Sequence, residues 1–220
     1  MTTRSYGQYC GFSRALELVG ERWALLIIRD LLVGPKRFTE LRQGLPRIPT
    51  NVLTDRLKEL EAAGLIERRL LPRPEKSFVY DLTPRGRELD DIVLALGRWG
   101  AQHLGEPREH EIVTTDSVAM ALRTTFHPQA AQKLRASYEL RLGDITLHAK
   151  IDYGTLEVGR GPLPDADLLI EAGPELRSLM AGELSPAEAL DKGSVRVKGP
   201  EELLTRFTEL FRIAAPSTGA

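Results

Sequence analysis

The chain has 220 residues, of which 42% are hydrophobic and 28% are charged, and its net charge is −1 at pH 7. This length suits two small domains, and the composition is that of a soluble globular protein with enough apolar residues for real cores. No uncharged apolar run approaches the roughly 18 residues of a membrane-spanning helix, and residues 1–9 lack a secretory signal. The single cysteine, Cys10, excludes an intramolecular disulfide. We therefore expect a cytoplasmic protein that does not associate with membranes.

The charges are unevenly distributed along the chain. Residues 1–105 hold 17 Lys and Arg against 13 Asp and Glu, whereas residues 106–220 hold 13 against 18. The segment 36–76 alone carries 10 basic and 6 acidic side chains. A basic half joined to an acidic half indicates that the first half binds an anionic polymer.

Helical spacing of apolar residues begins near the N-terminus. The pattern over residues 13–32 predicts a helix that Gly20 divides into two. The turn at Gly34-Pro35 ends this region, and a short helix is expected from Phe38 to Gly44.

The next predicted helix, over residues 49–63, is amphipathic. Leu53, Leu57 and Leu60 mark its apolar face, and polar side chains occupy the opposite face. Gly64 is suited to end the helix. A helix buried on one side can lay its polar side in the major groove of DNA, which is wide enough for one helix.

Two strands, at about 65–71 and 78–83, follow this helix. The loop between them is rich in proline and charge, so they predict a β-hairpin. Thr83-Pro84 then has the pattern of a helix start, and we expect one helix from there to about His103. Helices followed by a hairpin form a winged helix-turn-helix, whose hairpin loop can reach the DNA backbone.

Four motifs, "GERW", "GPKRFTEL", "LTDRLKELE" and "YDLTPRG", occur in this order within residues 10–100. Through them, this segment resembles the HxlR-type winged-helix transcriptional regulators. It implies a homodimer that binds an inverted-repeat operator in double-stranded DNA, with the recognition helix at residues 49–63 and the wing at 67–80. Pro49 departs from the pattern, since many members carry a small polar capping residue there.

The candidate DNA-binding residues are basic or carry short polar side chains. Asn51 is the only asparagine of the chain, and asparagine can form two hydrogen bonds with adenine. Alternatively, Thr50 and Asn51 are simply favourable residues for a helix start, and Arg56 pairs with Glu59 or Glu61 instead of DNA. The complete candidate set is Lys36, Arg37, Arg47, Thr50, Asn51, Thr54, Arg56, Lys58, Arg73 and Lys76.

Two helices are more apolar than this small fold requires: the N-terminal helix and the helix that ends in "LGRWG". They predict either a dimer interface or packing against the second half of the chain.

Cys10 lies where HxlR-type regulators often carry an N-terminal cysteine, which some members use to sense oxidants or electrophiles. Arg4 and Arg14 are placed in the sequence to lower its pKa. The competing and commoner outcome for a lone cysteine is a buried, inert side chain.

The second half predicts an α+β domain of about five strands, so the fold class is α+β throughout. Strands are expected at 136–142, 145–152, 155–159, 167–172 and 194–199. Helices are expected near 116–123, 174–181, 186–191 and 200–213. Turn signals at Gly143-Asp144 and Tyr153-Gly154 make the first three strands a meander. We place the domain boundary between residues 105 and 106.

This half resembles the sterol-carrier-protein-like fold, through "PDADLLIEAGPELRSLMAGELSPAEAL" followed by "GSVRVKGPEELL". The resemblance implies an apolar cavity between sheet and helices, and hence an apolar small-molecule effector. Core packing is the alternative role for each candidate lining residue. These residues are Phe126, Leu179, Met180, Leu184, Phe207 and Phe211.

No motif favours catalysis. The stretch "HEIVT" at 110–114 lacks the second histidine of a zinc-protease motif, and the four histidines have no metal-binding spacing. We therefore expect no enzymatic activity, no cofactor and no metal. The rival functions are a carrier of a lipid-like ligand whose N-terminal domain is a docking module, and a redox or electrophile sensor acting through Cys10.

Overall fold

The computed structural model describes residues 5–72, 76–105 and 108–213. The chain divides into two compact units, Met1–Val93 and Leu94–Ala220. The domain boundary between residues 105 and 106 stays a prediction. In the described part of the chain, no helix is both long and apolar enough to span a bilayer.

The first unit has helices followed by a hairpin, as the sequence predicts. The hairpin is antiparallel, with Ile66 opposite Leu82 and Leu70 opposite Phe78. A last helix starts in this unit and continues into the second. The elements are α1 (Gly11–Val19), α2 (Ala24–Val33), α3 (Phe38–Gly44), α4 (Thr50–Ala62), β1 (Ile66–Leu70), β2 (Phe78–Leu82), α5 (Pro84–Arg87) and α6 (Asp90–Ala101).

The predicted break at Gly20 is confirmed. Gly20 ends α1, and a side chain there would collide with the Leu16 carbonyl of the same helix. Trp23 then adopts a left-handed backbone conformation, with φ of 81°, directly before α2 begins. The chain therefore turns between α1 and α2, and Ile27 and Leu31 of α2 enter the core with no exposed surface.

The single helix predicted from Pro84 to His103 is wrong, because two helices occupy this stretch. The Leu89 N–H donates to the carbonyl of Gly86, three residues earlier, at 3.2 Å. This contact tightens the chain into a turn at residues 88 and 89 and separates α5 from α6. Gly86 also packs so closely on the Leu65 carbonyl that a side chain would not fit.

The second unit contains a five-stranded sheet, which agrees with the predicted strand number. Its order is β5-β4-β3-β6-β7, with every neighbouring pair antiparallel except β3 and β6. The strands are β3 (Arg135–Leu142), β4 (Ile145–Asp152), β5 (Thr155–Arg160), β6 (Leu168–Ala172) and β7 (Val195–Lys198). The helices are α7 (Thr115–Thr125), α8 (Glu175–Ala181), α9 (Pro186–Asp191) and α10 (Glu202–Leu210).

Strand alternation determines which side of this sheet is buried. On β4, Leu147, Ala149 and Ile151 are buried, and the residues between them are more exposed. These apolar side chains share one core with Leu122 of α7 and Phe207 of α10. The sheet is therefore covered by helices on the side that carries its apolar residues.

Candidate nucleic-acid interface

Helix α4 presents the two faces that its sequence predicts. Leu53 and Leu57 are buried, together with Leu60 one turn further on. Thr50 and Asn51 are exposed at the start of the helix. The exposed polar side is therefore on the outside of the first unit, where a duplex can approach it.

The chain enters α4 through a short exposed segment. Pro49 is the N-cap residue, in an extended conformation with ψ of 143°, and its carbonyl accepts the Leu53 N–H at 2.9 Å. Proline has no side-chain acceptor for the first-turn amides, which are therefore left for another acceptor, such as a phosphate oxygen. Arg47 lies exposed just before this point.

Two candidate residues on α4 form hydrogen bonds within the protein. Thr54 is half-buried, and its hydroxyl donates to the Thr50 carbonyl at 2.9 Å. The guanidinium of Arg56 pairs with Glu59 and lies 3.6 Å from Glu21, and its side chain is 17% exposed. Of the two pairings that the sequence allows for Arg56, with Glu59 or with Glu61, the structure has the one with Glu59. Lys58 is exposed on the same helix.

The prediction that Lys36 contacts DNA is wrong. Its backbone pairs with Tyr80 of β2, with N–H to carbonyl distances of 3.0 and 2.8 Å. This extra bridge on the hairpin directs the side chain inward, so Lys36 is 2% exposed and its ammonium donates to the Gly34 carbonyl at 3.3 Å. Lys36 is therefore not placed to meet the DNA backbone.

The neighbouring Arg37 connects the start of α3 to the wing. Its side chain is exposed, and its Nε donates to the Ser77 hydroxyl at 3.0 Å. Lys76, the residue before Ser77, is exposed and has a φ of 30°. Arg73, the other candidate in the wing, lies outside the described residues. Arg37 therefore contacts the residue that follows Lys76 in the wing, although the two segments lie 40 residues apart in sequence.

One buried carboxylate sets the position of the wing. Asp81 of β2 accepts hydrogen bonds from Arg69 at 2.9 Å, from Arg87 at 2.8 Å and from the Leu82 N–H at 2.8 Å. Its side chain is 10% exposed. These contacts join β1, β2 and α5, so the hairpin is held at a defined angle to the helices.

Arg68 is a basic wing residue outside the predicted set. It is exposed on β1, and its guanidinium carbon lies 4.2 Å from the ring centre of Phe78. The signal for it in the sequence is the basic pair in "IERRL". Arg22, which lies before α2, is a second basic residue outside the predicted set. The only signal for it in the sequence is its place in "GERW".

Cys10 is exposed, so the expectation of a buried cysteine is wrong. It is the N-cap residue of α1, and hydrogen bonds from the backbone N–H groups of Ser13 and Phe12 lower the pKa of its thiol below the usual value. Arg14 bonds to Glu17 at 2.7 Å. Arg4 lies outside the described residues. The first residues of α1 therefore lower the pKa of the thiol, and Arg14 is paired with Glu17.

The six candidate ligand residues of the second unit lie together in its core. Four of them, on α8, on α10 and just after α10, are buried, whereas Phe126 and Leu184 are partly buried against that core. The rings of Phe207 and Phe211 are 4.7 Å apart, and Phe126 is 5.7 Å from Phe211. Tyr138, whose ring is 5.5 Å from Phe207, has a buried hydroxyl without a hydrogen-bond partner in the described chain. The ligand-binding role of these residues stays a prediction.

The comparisons with known proteins concern the first part of the chain. The HxlR-like helix-turn-helix family matches residues 18–108. The uncharacterized HTH-type transcriptional regulator YvaP of Bacillus subtilis (strain 168) is 35% identical over 91 residues, which are 41% of this chain and 84% of YvaP. The HTH-type transcriptional regulator YodB of the same organism is 40% identical over 88 residues, which are 40% of this chain and 79% of YodB.

Among solved structures, the reduced form of YodB from B. subtilis is 35% identical and covers 46% of this chain and 100% of that chain, with a TM-score of 0.39. The identity to YvaP extends over most of that protein's length, and the family match contains α2, α3, α4 and the hairpin. The chain therefore belongs to the HxlR-like helix-turn-helix family.

Proposed function

We propose that this protein is a sequence-specific DNA-binding transcriptional regulator that acts as a homodimer on an inverted-repeat operator. The observation that carries the proposal is α4, whose leucines are buried while Thr50, Asn51 and Lys58 are exposed. The exposed Lys76 of the wing adds a second basic element. Relatives named as HTH-type transcriptional regulators support the same function.

Different residues have different tasks in this proposal. Asn51 and Thr50 contact base edges in the major groove, because their side chains are short, polar and exposed at the start of α4. The basic residues before α4, on it and in the wing contact phosphates, which determines register and salt-dependent affinity. These are Arg37, Arg47, Lys58, Arg73 and Lys76. In this proposal, Thr54 and Arg56 also contact DNA, from half-buried positions on α4.

Exposed apolar side chains support the dimer. Phe12 on α1 is exposed, and so are Ile92, Leu96 and Trp99 on α6. Each helix alone leaves large apolar groups in water, and a second copy of the chain would cover them. A two-fold dimer sets its half-sites about one DNA turn apart, roughly 10 base pairs.

The test is selection of duplex sequences from a random pool by the purified full chain, followed by titration of the selected site. We expect an inverted repeat, and native mass spectrometry should report two chains per duplex. The Asn51→Ala variant should lose about 1–3 kcal/mol of discrimination between the selected site and a scrambled duplex. Failure of the wild-type chain to bind any duplex at about 100 mM salt contradicts the proposal.

A second function belongs to the C-terminal unit, where we infer an apolar small-molecule effector. The observation in its favour is the Tyr138 hydroxyl, which is buried beside the ring of Phe207 and has no partner in the described part of the unit. Buried polar groups are normally hydrogen-bonded, so a ligand with one polar group in an apolar body suits this position. Native mass spectrometry of the purified protein should detect such a molecule. Tight uptake of lipid without any DNA binding would instead favour the carrier function.

The sensor function of Cys10 remains a separate proposal. Its exposure and the lowered pKa of its thiol support reactivity towards electrophiles. Because the chain has one cysteine, a disulfide would form with a partner subunit or with a small thiol.

A further inference from the structure

A shallow depression lies beside the start of α4, and four of its seven lining residues are charged. Its volume is about 350 Å³, and it is open to solvent and not enclosed. Three arginines and one glutamate line it, so its formal charge is positive. The lining residues are Glu21, Arg22, Trp23, Arg47, Pro49, Val52 and Arg56.

Arg22 is held in place at the edge of this depression. Its guanidinium carbon lies 5.1 Å from the ring centre of Trp23, which is the range of a cation–π contact. Trp23 itself has a left-handed backbone conformation, which is unusual for a large side chain. The turn between α1 and α2 therefore directs an arginine and an aromatic ring to the same place.

Arg56 has one hydrogen-bond donor without a partner in the described part of the chain. Its terminal nitrogens face Glu59 and Glu21, but its Nε is buried and has no acceptor within the described residues. A buried donor without an acceptor is unfavourable. Because this Nε has almost no accessible surface, an anion in the depression would be attracted by the charge of Arg56 and bound directly by the exposed Arg22 and Arg47.

We propose that this depression binds one backbone phosphate of the DNA that α4 reads, with Arg22 and Arg47 as its direct ligands. The inference rests on the proposed DNA-binding function. Pro49 and Val52 line the depression, and Thr50 and Asn51 lie between them in sequence, so a duplex against the exposed start of α4 brings a phosphate to this place. Guanidinium groups bind phosphate oxygens through paired hydrogen bonds.

The test compares the salt dependence of DNA binding for four forms of the full chain: wild type, Arg22→Ala, Arg47→Ala and the double variant. Each phosphate contact contributes about 0.9 to the slope of log affinity against log salt concentration. Because both arginines contact the same phosphate, the slope of the double variant should be smaller than that of the wild type by about 0.9 per protomer in total and not by twice that amount. Affinity should fall roughly tenfold per protomer on selected and scrambled duplexes alike, as expected for a lost charged hydrogen bond.

Arg14→Ala is the matched control. It removes the same charge from the same unit, but Arg14 bonds to Glu17 on α1 and does not line the depression. Its slope should equal that of the wild type. Circular dichroism and thermal melting of every variant should match the wild type, because Arg22 and Arg47 are not core residues.

Two results overturn the inference while leaving the proposed function intact. The first is an unchanged salt slope in the double variant when the wild type binds its selected site. The second is saturable binding of inorganic phosphate or benzoate to the free protein at submillimolar concentration, measured by tryptophan fluorescence. This binding would have to persist when DNA is bound. That result would assign the depression to a small anion. A wild-type chain that binds no duplex would overturn both proposals.

Discussion

Replacement of the buried Asp81 by asparagine tests whether one carboxylate determines the position of the wing. Asp81→Asn keeps the shape of the side chain and removes its charge. The new amide still accepts the Leu82 N–H, but its NH₂ group faces a guanidinium that can only donate. The replacement therefore weakens the contacts to Arg69 and Arg87.

The magnitude follows from the contacts and their exposure. A hydrogen bond to a charged group contributes about 1.5–3 kcal/mol when it is well shielded. Here the Arg69 and Arg87 side chains are 40% and 51% exposed, so hydration and salt screening offset much of the free energy lost with each contact. We expect the free energy of unfolding of the first unit to fall by about 2 kcal/mol.

The assay must report on the first unit alone, because a protein with two compact units need not unfold in one step. Trp23 lies in that unit and Trp99 in the other, and Trp99 is exposed, so a Trp99→Phe background leaves Trp23 as the only tryptophan. Urea unfolding followed by its fluorescence then gives the free energy of this unit. Glu67→Gln, at an exposed position of β1, is the control and should change it by less than about 0.5 kcal/mol.

An Asp81→Asn variant as stable as the control would refute the reasoning, because the carboxylate would then contribute nothing beyond its shape. Loss of stability should also be accompanied by weaker DNA binding, since the wing would no longer be held against the helices. Normal DNA binding in a clearly destabilised variant would show that the wing is positioned by other contacts.

Three further predictions concern single side chains. Lys76→Ala should weaken DNA binding equally on all sequences and lower the salt slope by about one unit per protomer; an unchanged slope means that Lys76 does not contact phosphate. Cys10 should be alkylated faster than free cysteine at neutral pH, because its lowered pKa gives more thiolate there; a rate no faster than that of free cysteine ends the sensor proposal. Tyr138→Phe should raise the stability of the second unit by about 1 kcal/mol in ligand-free protein, since it removes a buried hydroxyl without a partner, and a loss of stability in thermal melts would mean that the hydroxyl is bonded.

The local elements of this protein could be predicted from its sequence because they depend on spacing and on single turn residues. The leucines at 53, 57 and 60 repeat at helical spacing, and they are buried on α4. The turns at Gly143 and Gly154 have positive φ and join the strands that the alternation predicts. Asn51 is exposed for the same local reason, since it lies opposite the leucines on one helix.

The candidate interface depended more on contacts between distant parts of the chain, which spacing does not encode. Lys36 is buried because its backbone pairs with Tyr80, 44 residues later, and no local pattern marks that bridge. Arg56 shows a mixed case. Its pairing with Glu59 follows from helical spacing, whereas its contact with Glu21 comes from a different element.

Apart from the break between α5 and α6, the sequence alone determined the order of helices and strands and the inward face of α4, because backbone geometry repeats every 3.6 residues in a helix and every two in a strand. Only the tertiary structure decided that Lys36 faces inward, that Cys10 is exposed, and that Arg22 joins Arg47 beside α4. The physical reason is that a side chain's surroundings are set by whichever segment folds against it, and that segment can lie anywhere along the chain.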